Sequence, residues 1–170
     1  MKDKLKKVVK EWKFLIMFLI AVVIYLTTIQ FVRPLYVNGD SMNPTYSNNQ
    51  FIWGTTYNIE GRIKRGSVIA CTVYAPDRPS ADEDGNLNLI KRVIGLPGEK
   101  IKIAGGFVFI NGKLLEEENY IKEVMVVEKP QEFTLKEDEY FVMGDNRNNS
   151  FDSRNVGPIK ADQLLYMIKE

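Results

Sequence analysis

A long apolar run opens the chain, and short alternating segments follow it. Residues 14–32 are 19 positions without a charge, bounded by Lys13 and Arg33. A helix of that length spans about 28 Å, which is close to the hydrocarbon thickness of a bilayer. Residues 1–13 hold six lysines against two acids, so the positive-inside rule predicts a cytoplasmic N-terminus and an extracytoplasmic remainder.

A cleavable signal peptide is the main alternative to a retained anchor. Its apolar region would be about 7–15 residues long, with small residues at a cut site. Residues 30–35 offer no small residue. A buried core helix is the other alternative, but a helix that is apolar all round suits a domain of this size poorly. We therefore predict a cytoplasmic tail over 1–13, a single plasma-membrane span over 14–32 and an extracytoplasmic domain over 33–170.

After residue 33, apolar and polar positions alternate with a period near two, which is typical of strands. Strands are predicted over residues 51–53, 68–74, 87–94, 100–103, 107–110, 133–135 and 140–143. Asn111-Gly112 is a type I′ hairpin signal. Residues 75–86 are predicted as a solvated loop and residues 116–118 as a charged surface turn. The pattern predicts a mainly β, antiparallel domain behind a single N-terminal transmembrane helix.

Composition removes several classes of function. Residues 14–170 carry 17 basic and 20 acidic residues, so no basic face indicates a nucleic-acid partner. The chain has no histidine and one cysteine, which excludes zinc fingers, zincins and Cys-His proteases. No motif indicates a metal or a cofactor, and we predict neither. Cys71 lies in an apolar run and is predicted to be a buried structural thiol.

A serine on a constrained turn is the first candidate for chemistry. Gly39 relieves crowding and Pro44 fixes φ, so the turn can present the hydroxyl and the amide of Ser41 together, next to Met42. Without histidine, a serine nucleophile needs another base, and a lysine is the obvious one. Taken alone, this segment would be an ordinary turn.

Lys91 and Arg92 interrupt an apolar strand, and Lys91 is the candidate for that base. Alternation sends their side chains to opposite faces, so one of them can face inward. A free amine with a pKa near 10.4 is neutral in only about one molecule in 2,500 at pH 7. Desolvation disfavours the charged form, and lowering the pKa by about three units requires roughly 4 kcal/mol, which a buried site can supply.

Polar residues crowd residues 144–157, directly after a predicted strand. An ordinary polar loop would account for the Asp, Asn and Gly content. Two serines, two aspartates and two arginines in so short a span instead favour a hydrogen-bonded platform. In it, Ser150 can exchange a hydrogen bond with an active-site amine, and Asp152 can pair with Arg154.

These three segments, in this order behind an apolar N-terminal run, resemble the type I (leader) signal peptidases. That Ser-Lys family removes signal peptides from exported proteins, and the resemblance covers nearly the whole chain. It implies a coiled antiparallel β fold with its cleft near the membrane surface. It also implies Ser41 as nucleophile, Lys91 as general base, and secretory precursors and the lipid bilayer as partners.

The resemblance also assigns supporting residues and contains departures. The supporting residues that it implies are Ser150, Asp152, Arg154, Arg92 and Asp145. Gly39 stands where many members carry a serine that helps the oxyanion hole, which indicates the smaller, Gram-positive-like branch. Ser67 replaces a usual aspartate, which predicts a weaker structural contact. Leu165 stands where glycine is common, which leaves closure of the fold at the C-terminal tail in question.

Several other functions compete with this one. A self-cleaving repressor-type Ser-Lys protease shares the Gly-Asp-Ser-Met motif but does not account for the apolar run or the third segment. A catalytically silent, membrane-tethered β module that binds exported chains is a different class. The eukaryotic-type branch uses histidine in place of Lys91 and is excluded. Residues 51–53 admit two interpretations, a core strand or a lip that touches the membrane, because tryptophan favours the interface.

Overall fold

The computed structural model describes residues 2–56 and 59–169, which form two compact units, Met1–Arg33 and Pro34–Glu170. The first unit is helix α1, Lys2–Phe31. Large apolar side chains from Phe14 to Leu26 are exposed along it. Within the part of the chain that the structure describes, no helix combines the length and apolarity needed to cross a membrane. The predicted boundaries at residues 13 and 32 stay predictions.

The second unit is built from strands. They are β1 Val32–Tyr36, β2 Phe51–Thr55, β3 Val68–Tyr74, β4 Asn86–Gly95, β5 Lys100–Ala104, β6 Phe107–Ile110, β7 Lys113–Leu114, β8 Gln131–Thr134, β9 Glu139–Met143, β10 Ile159–Lys160 and β11 Leu164–Ile168. Helix α2, Ser153–Val156, and two 3-10 turns, Glu60–Arg62 and Ala161–Gln163, complete it. One sheet has the order β1-β2-β11-β3-β4-β9-β10 and the other β7-β6-β5-β8. The prediction of a mainly antiparallel β domain is confirmed.

Local sequence signals located most of these strands. Residues 68–74 and 107–110 form β3 and β6 as predicted. Asn111 and Gly112 both have positive φ, as a type I′ turn requires, and Ile110 pairs with Lys113 across the turn. β8 begins at Gln131, two residues earlier than predicted, and its successor Leu135 is buried in the core. The short strands β1, β7 and β10 carry too little alternation to be recognised from the sequence.

The C-terminal tail closes the larger sheet. β11 lies between β2 and β3, and its register with β3 shifts between Leu164 and Tyr166. Leu165 is the residue at this irregularity. Because the irregularity accommodates the extra residue, a leucine at this position is compatible with an ordered strand.

The β3–β4 hairpin determines where the candidate residues meet. Val68 pairs with Arg92 and Tyr74 with Asn86, so the two strands run side by side over seven residues. Along β4, strand β9 pairs with the C-terminal part alone, at Arg92, Val93 and Gly95. Among the described residues, no strand therefore pairs with the outer edge of β4 from 86 to 91.

Buried apolar residues of the second unit form three clusters. One packs beneath β3, β4 and β9 and contains Cys71, which is fully buried as predicted. A second joins the end of β4 to the smaller sheet, with Ile94 and Phe141 among its members. The third lies below the Ser41 turn and includes Met42 and Ile52. The Ser41 turn and strand β4, which carry two of the candidate residues, are thus both anchored in the apolar core.

Candidate active site

Ser41 lies on a turn that a glycine and a buried methionine hold. Gly39 has φ of 89°, a left-handed conformation that favours glycine, and its amide donates to Asn48 Oδ1 at 2.9 Å. Met42 is fully buried and anchors the turn in the core. The Asn43–Pro44 peptide is cis. A serine in place of Gly39 would be strained in this conformation, even though a Cβ there would meet no atom within 4 Å.

Lys91 reaches Ser41 from strand β4. Its Nζ donates to Ser41 Oγ at 2.7 Å and to the carbonyl of Ile90 at 2.9 Å. Only 2% of the lysine is exposed. The structure thus brings together the two residues that the sequence nominated, which are fifty positions apart in the chain.

Burial alters the acidity of this amine. Desolvation lowers the pKa of Lys91 from 10.5 to about 8, against the opposing charges of Asp152 and Asp145. The positive charge of Arg154 lowers it further. At a pKa of about 8, roughly one molecule in ten carries a neutral amine at pH 7, compared with about one in 3,000 without the shift. The site therefore supplies a usable base at neutral pH.

Arg92 points away from Lys91 and is also buried. It makes a bidentate pair with Asp145, at 2.8 Å from Nε to Oδ1 and 2.7 Å from Nη2 to Oδ2. Its Nη1 also donates to the carbonyl of Gly66 at 2.6 Å. Thr45, four residues after Ser41, donates to Asp145 Oδ2. The pair thus joins three segments behind the Ser41 turn.

The third segment forms a platform around Asp152. This fully buried carboxylate accepts from Ser150 Oγ at 2.7 Å, from the Gly144 amide at 3.0 Å and from Arg154 Nε and Nη2 at 2.8 Å each. Burial opposes ionisation of Asp152, but the hydrogen bonds and charge of Arg154 outweigh it and hold the pKa of the carboxyl below its usual value. Asp152 also caps helix α2.

Gly144 is the point where the platform meets the nucleophile. A Cβ at this position would lie 2.2 Å from Ser150 Oγ and 2.4 Å from the Ser41 carbonyl oxygen. Only glycine fits between them. The amide of Asn146, two residues after Gly144, donates to the same Ser41 carbonyl at 3.0 Å. Ser150 and the Ser41 backbone therefore pack on opposite sides of a single glycine.

Among the hydrogen bonds of the described residues, none joins Ser150 to Lys91. Its hydroxyl donates to Asp152, and the hydrogen bonds of Lys91 go to Ser41 and Ile90. The orienting role that the resemblance implies for Ser150 stays a prediction.

Sequence reasoning passed over two residues of this region. Arg147 is buried, and its Nε donates to the Gly144 carbonyl at 3.0 Å. Glu117 receives both terminal nitrogens of that arginine, so the prediction of residues 116–118 as a charged surface turn is incomplete. Nothing in a run of three glutamates distinguishes the one that pairs with an arginine. Ser67 keeps a local contact by accepting from the Lys64 amide at 3.1 Å.

A cleft of about 600 Å³ opens over the two candidate catalytic residues. Its floor is the unpaired edge of β4, and Leu165, the departure at the irregularity of β11, lines it. Among the hydrogen bonds of the described residues, none uses the amide of Ser41, which stays available to a ligand. No group of three or more His, Cys, Asp or Glu side chains in the described chain is arranged to hold a metal ion.

Several known proteins are similar to this chain. Signal peptidase I U of Bacillus subtilis (strain 168) is 34% identical in an alignment that covers 95% of this chain and 87% of the relative. Signal peptidase I P of Bacillus subtilis subsp. natto is 33% identical in an alignment that covers 91% of this chain and 83% of the relative. A crystal structure of signal peptidase I from Enterococcus faecalis V583 covers 64% of this chain and 97% of that chain, with 28% identity and a TM-score of 0.47. The family described as signal peptidase, peptidase S26, matches residues 9–168, and the chain is therefore a member of that family of peptidases.

Proposed function

We propose that this chain is a membrane-anchored serine endopeptidase that removes N-terminal signal peptides from exported proteins with a Ser41–Lys91 dyad. The observation that carries the proposal is the 2.7 Å contact between a buried amine and a hydroxyl at the base of a cleft. Membership of the signal peptidase family supports the substrate class. Secretory precursors are the proposed partners.

Proton transfer is the first step. Lys91 in its neutral form accepts the Ser41 proton at Nζ as Oγ attacks the carbonyl carbon of the scissile peptide bond. The lowered pKa of the amine makes this form accessible at neutral pH. The Ile90 carbonyl accepts a second hydrogen bond from Nζ and holds the amine towards Ser41.

Charge then develops on the carbonyl oxygen of the substrate. The free amide of Ser41 is the donor proposed for this oxyanion, a kind of contact whose loss costs about 3–4 kcal/mol in transition-state stability. The Lys91 ammonium returns its proton to the leaving amine as the peptide bond breaks. Water activated by the same amine then hydrolyses the ester on Ser41 and regenerates the hydroxyl.

The open edge of β4 is the proposed substrate track. The amide and carbonyl of Asn86 bond to Asp82, so the part of β4 without a strand partner on the cleft side begins after Asn86, and Lys91 ends this track. An extended substrate segment can add to such an edge by main-chain hydrogen bonds. Pairing there would place a peptide carbonyl next to Ser41, and positioning of this kind lowers the barrier considerably.

Membrane attachment is the second part of the proposal. The 19 uncharged residues 14–32 are proposed as the anchor, with residues 1–13 in the cytoplasm and the catalytic domain on the extracytoplasmic face of the plasma membrane. Tyr36, Phe51 and Trp53 form an exposed aromatic cluster, with ring centroids 5.4 and 5.0 Å apart. Residues 51–53 lie in strand β2 and Ile52 is buried in the core, whereas 49% of Trp53 is exposed, so the membrane lip is retained as a proposal for the exposed rings.

Precursor cleavage tests the dyad. Full-length protein in detergent is incubated with a secretory precursor, and the cut site is read by mass spectrometry. Ser41→Ala is expected to abolish cleavage, whereas Ser47→Ala, an exposed serine of the same segment, is expected to cleave normally. Normal cleavage by Ser41→Ala would rule out this nucleophile. An inactive wild type would favour the silent binding module.

Lipid contact needs a separate measurement. In a Trp12→Phe background, the only remaining tryptophan is Trp53, so its fluorescence reports the lip. Bromine-labelled lipids in reconstituted vesicles are expected to quench it. Fluorescence that is equally bright with and without the brominated lipids would remove the lip from the proposal.

A further inference from the structure

We infer that Glu117 is a positioning residue for catalysis, acting through Arg147 on the peptide that supports Ser41. The inference rests on the proposed Ser41–Lys91 chemistry and adds a residue that lies outside the three signature segments. We call residues 117–121 the strap, because this turn ties the back of the site together. Two hydrogen bonds close it, from the amides of Tyr120 and Ile121 to the Glu117 carbonyl, at 3.2 and 3.0 Å.

The Glu117–Arg147 ion pair is bidentate and enclosed. Nη1 of the arginine lies 2.9 Å from Oε2, and Nη2 lies 2.5 Å from Oε1. The exposed fractions of the two side chains are 12% for the glutamate and 2% for the arginine. Exposed ion pairs contribute little, but removing one partner of an enclosed pair leaves an uncompensated charge that the surrounding protein does not solvate. Glu117 therefore fixes where the guanidinium lies.

Arg147 transmits that position to the nucleophile. Its Nε donates to the Gly144 carbonyl at 3.0 Å, while the Gly144 amide donates to Asp152. Both polar groups of this glycine are thus held, one by the platform and one by the arginine. Because a Cβ on Gly144 would collide with the Ser41 carbonyl oxygen, the glycine backbone and the Ser41 backbone are in close contact. A shift of Gly144 therefore displaces Ser41.

The strap also touches the other half of the site. The hydroxyl of Tyr120 donates to Glu117 Oε1 at 3.1 Å, and the Tyr120 ring lies 4.4 Å from the Arg92 guanidinium carbon. Arg92 follows Lys91 directly and holds Asp145. The strap thus contacts Arg92 through Tyr120 and Arg147 through Glu117. Arg92 is next to the proposed base, and Arg147 supports the glycine beside the proposed nucleophile. The two catalytic groups come from distant segments, and the strap fixes both from behind.

A positioning role makes a distinct kinetic prediction. Glu117 and Arg147 are absent from the residues that line the cleft over Ser41, so they do not meet the substrate there. Loosening them changes the geometry of the reacting groups and leaves the binding surface intact. A misplacement of the order of 1 Å can cost about a hundredfold in rate. We expect kcat to fall and KM to stay constant.

The test compares two neighbouring glutamates in the full-length protein in detergent. Glu117→Gln removes the charge and keeps the volume, and Glu116→Gln makes the same change at an exposed position. We expect kcat of Glu117→Gln to be about tenfold to a hundredfold below wild type, per folded molecule, with KM within twofold. Glu116→Gln should match wild type in both constants. Arg147→Lys should lose as much as Glu117→Gln, and the double variant no more than either, because the two residues act as one unit.

Each outcome decides the inference. If Glu117→Gln lowers only the melting temperature and kcat per folded molecule equals that of wild type, the ion pair is merely structural and the inference is wrong. If KM rises with kcat unchanged, Glu117 acts on binding and the inference is again wrong. Ser41→Ala, run in the same assay, separates the two claims, since its activity reports the dyad and is independent of the strap.

Discussion

Replacing Lys91 with methionine should abolish cleavage and at the same time stabilise the fold at neutral pH. The buried ammonium of Lys91 destabilises the folded state, because its pKa falls from 10.5 to about 8 on folding. At pH 7 this shift corresponds to about 3 kcal/mol of folding free energy. Methionine has a similar length and needs no hydration.

Lost hydrogen bonds offset part of this gain. The change removes the donor from Ser41 Oγ and from the Ile90 carbonyl, each worth about 1 kcal/mol. We therefore expect Lys91→Met to be about 1–2 kcal/mol more stable than wild type at pH 7. The pH dependence has a definite sign. Between pH 8 and 10.5 the lysine holds more protons in the unfolded state than in the folded state, so the stability of wild type rises by about 1.4 kcal/mol per pH unit. The stability advantage of Lys91→Met over wild type therefore shrinks as the pH rises and then reverses.

Equilibrium urea unfolding of the full-length protein in detergent, followed by far-UV circular dichroism at pH 7, 8, 9 and 10, measures this difference. Lys100→Met changes an exposed lysine and serves as the matched control, with no expected pH-dependent gap. A Lys91→Met variant that is less stable than wild type by a constant margin at every pH would refute the desolvation argument. It would also remove the physical basis for Lys91 as base.

Three further predictions concern the same site. In wild type, kcat should rise about tenfold from pH 6 to 7 and level off above pH 9, because the neutral form of Lys91 is the active one; a rise that continues past pH 10 would contradict it. Asp152→Asn should move the midpoint of this profile to lower pH, since the negative charge of Asp152 raises the pKa of Lys91; a midpoint at higher pH would contradict this. Gly144→Ala should destabilise the protein by about 1–3 kcal/mol and reduce kcat, because its methyl group collides with Ser41 and Ser150; urea unfolding and precursor cleavage measure both effects, and wild-type behaviour would rule out the tight contact.

The strands show how far local signals reach. Period-two alternation located β3 and β6 within a residue, and the Asn111-Gly112 signal located a hairpin. The same alternation predicted that Lys91 and Arg92 point to opposite sides. It could not predict that both are buried, because that depends on which segments cover each face of β4. Ser41 covers one side and Asp145 the other.

The sequence alone determined which residues are candidates for chemistry. Because the chain has no histidine, a lysine in an apolar strand was the obvious candidate base for a serine on a constrained turn. Three features depended on the tertiary structure: the lowered pKa of Lys91, the hydrogen bond from Ser150 to Asp152, and the ion pair of Glu117 with Arg147. Each of these is a property of packing between segments distant in the chain, where desolvation and register, and not residue type, determine which charge is enclosed and which partner it meets.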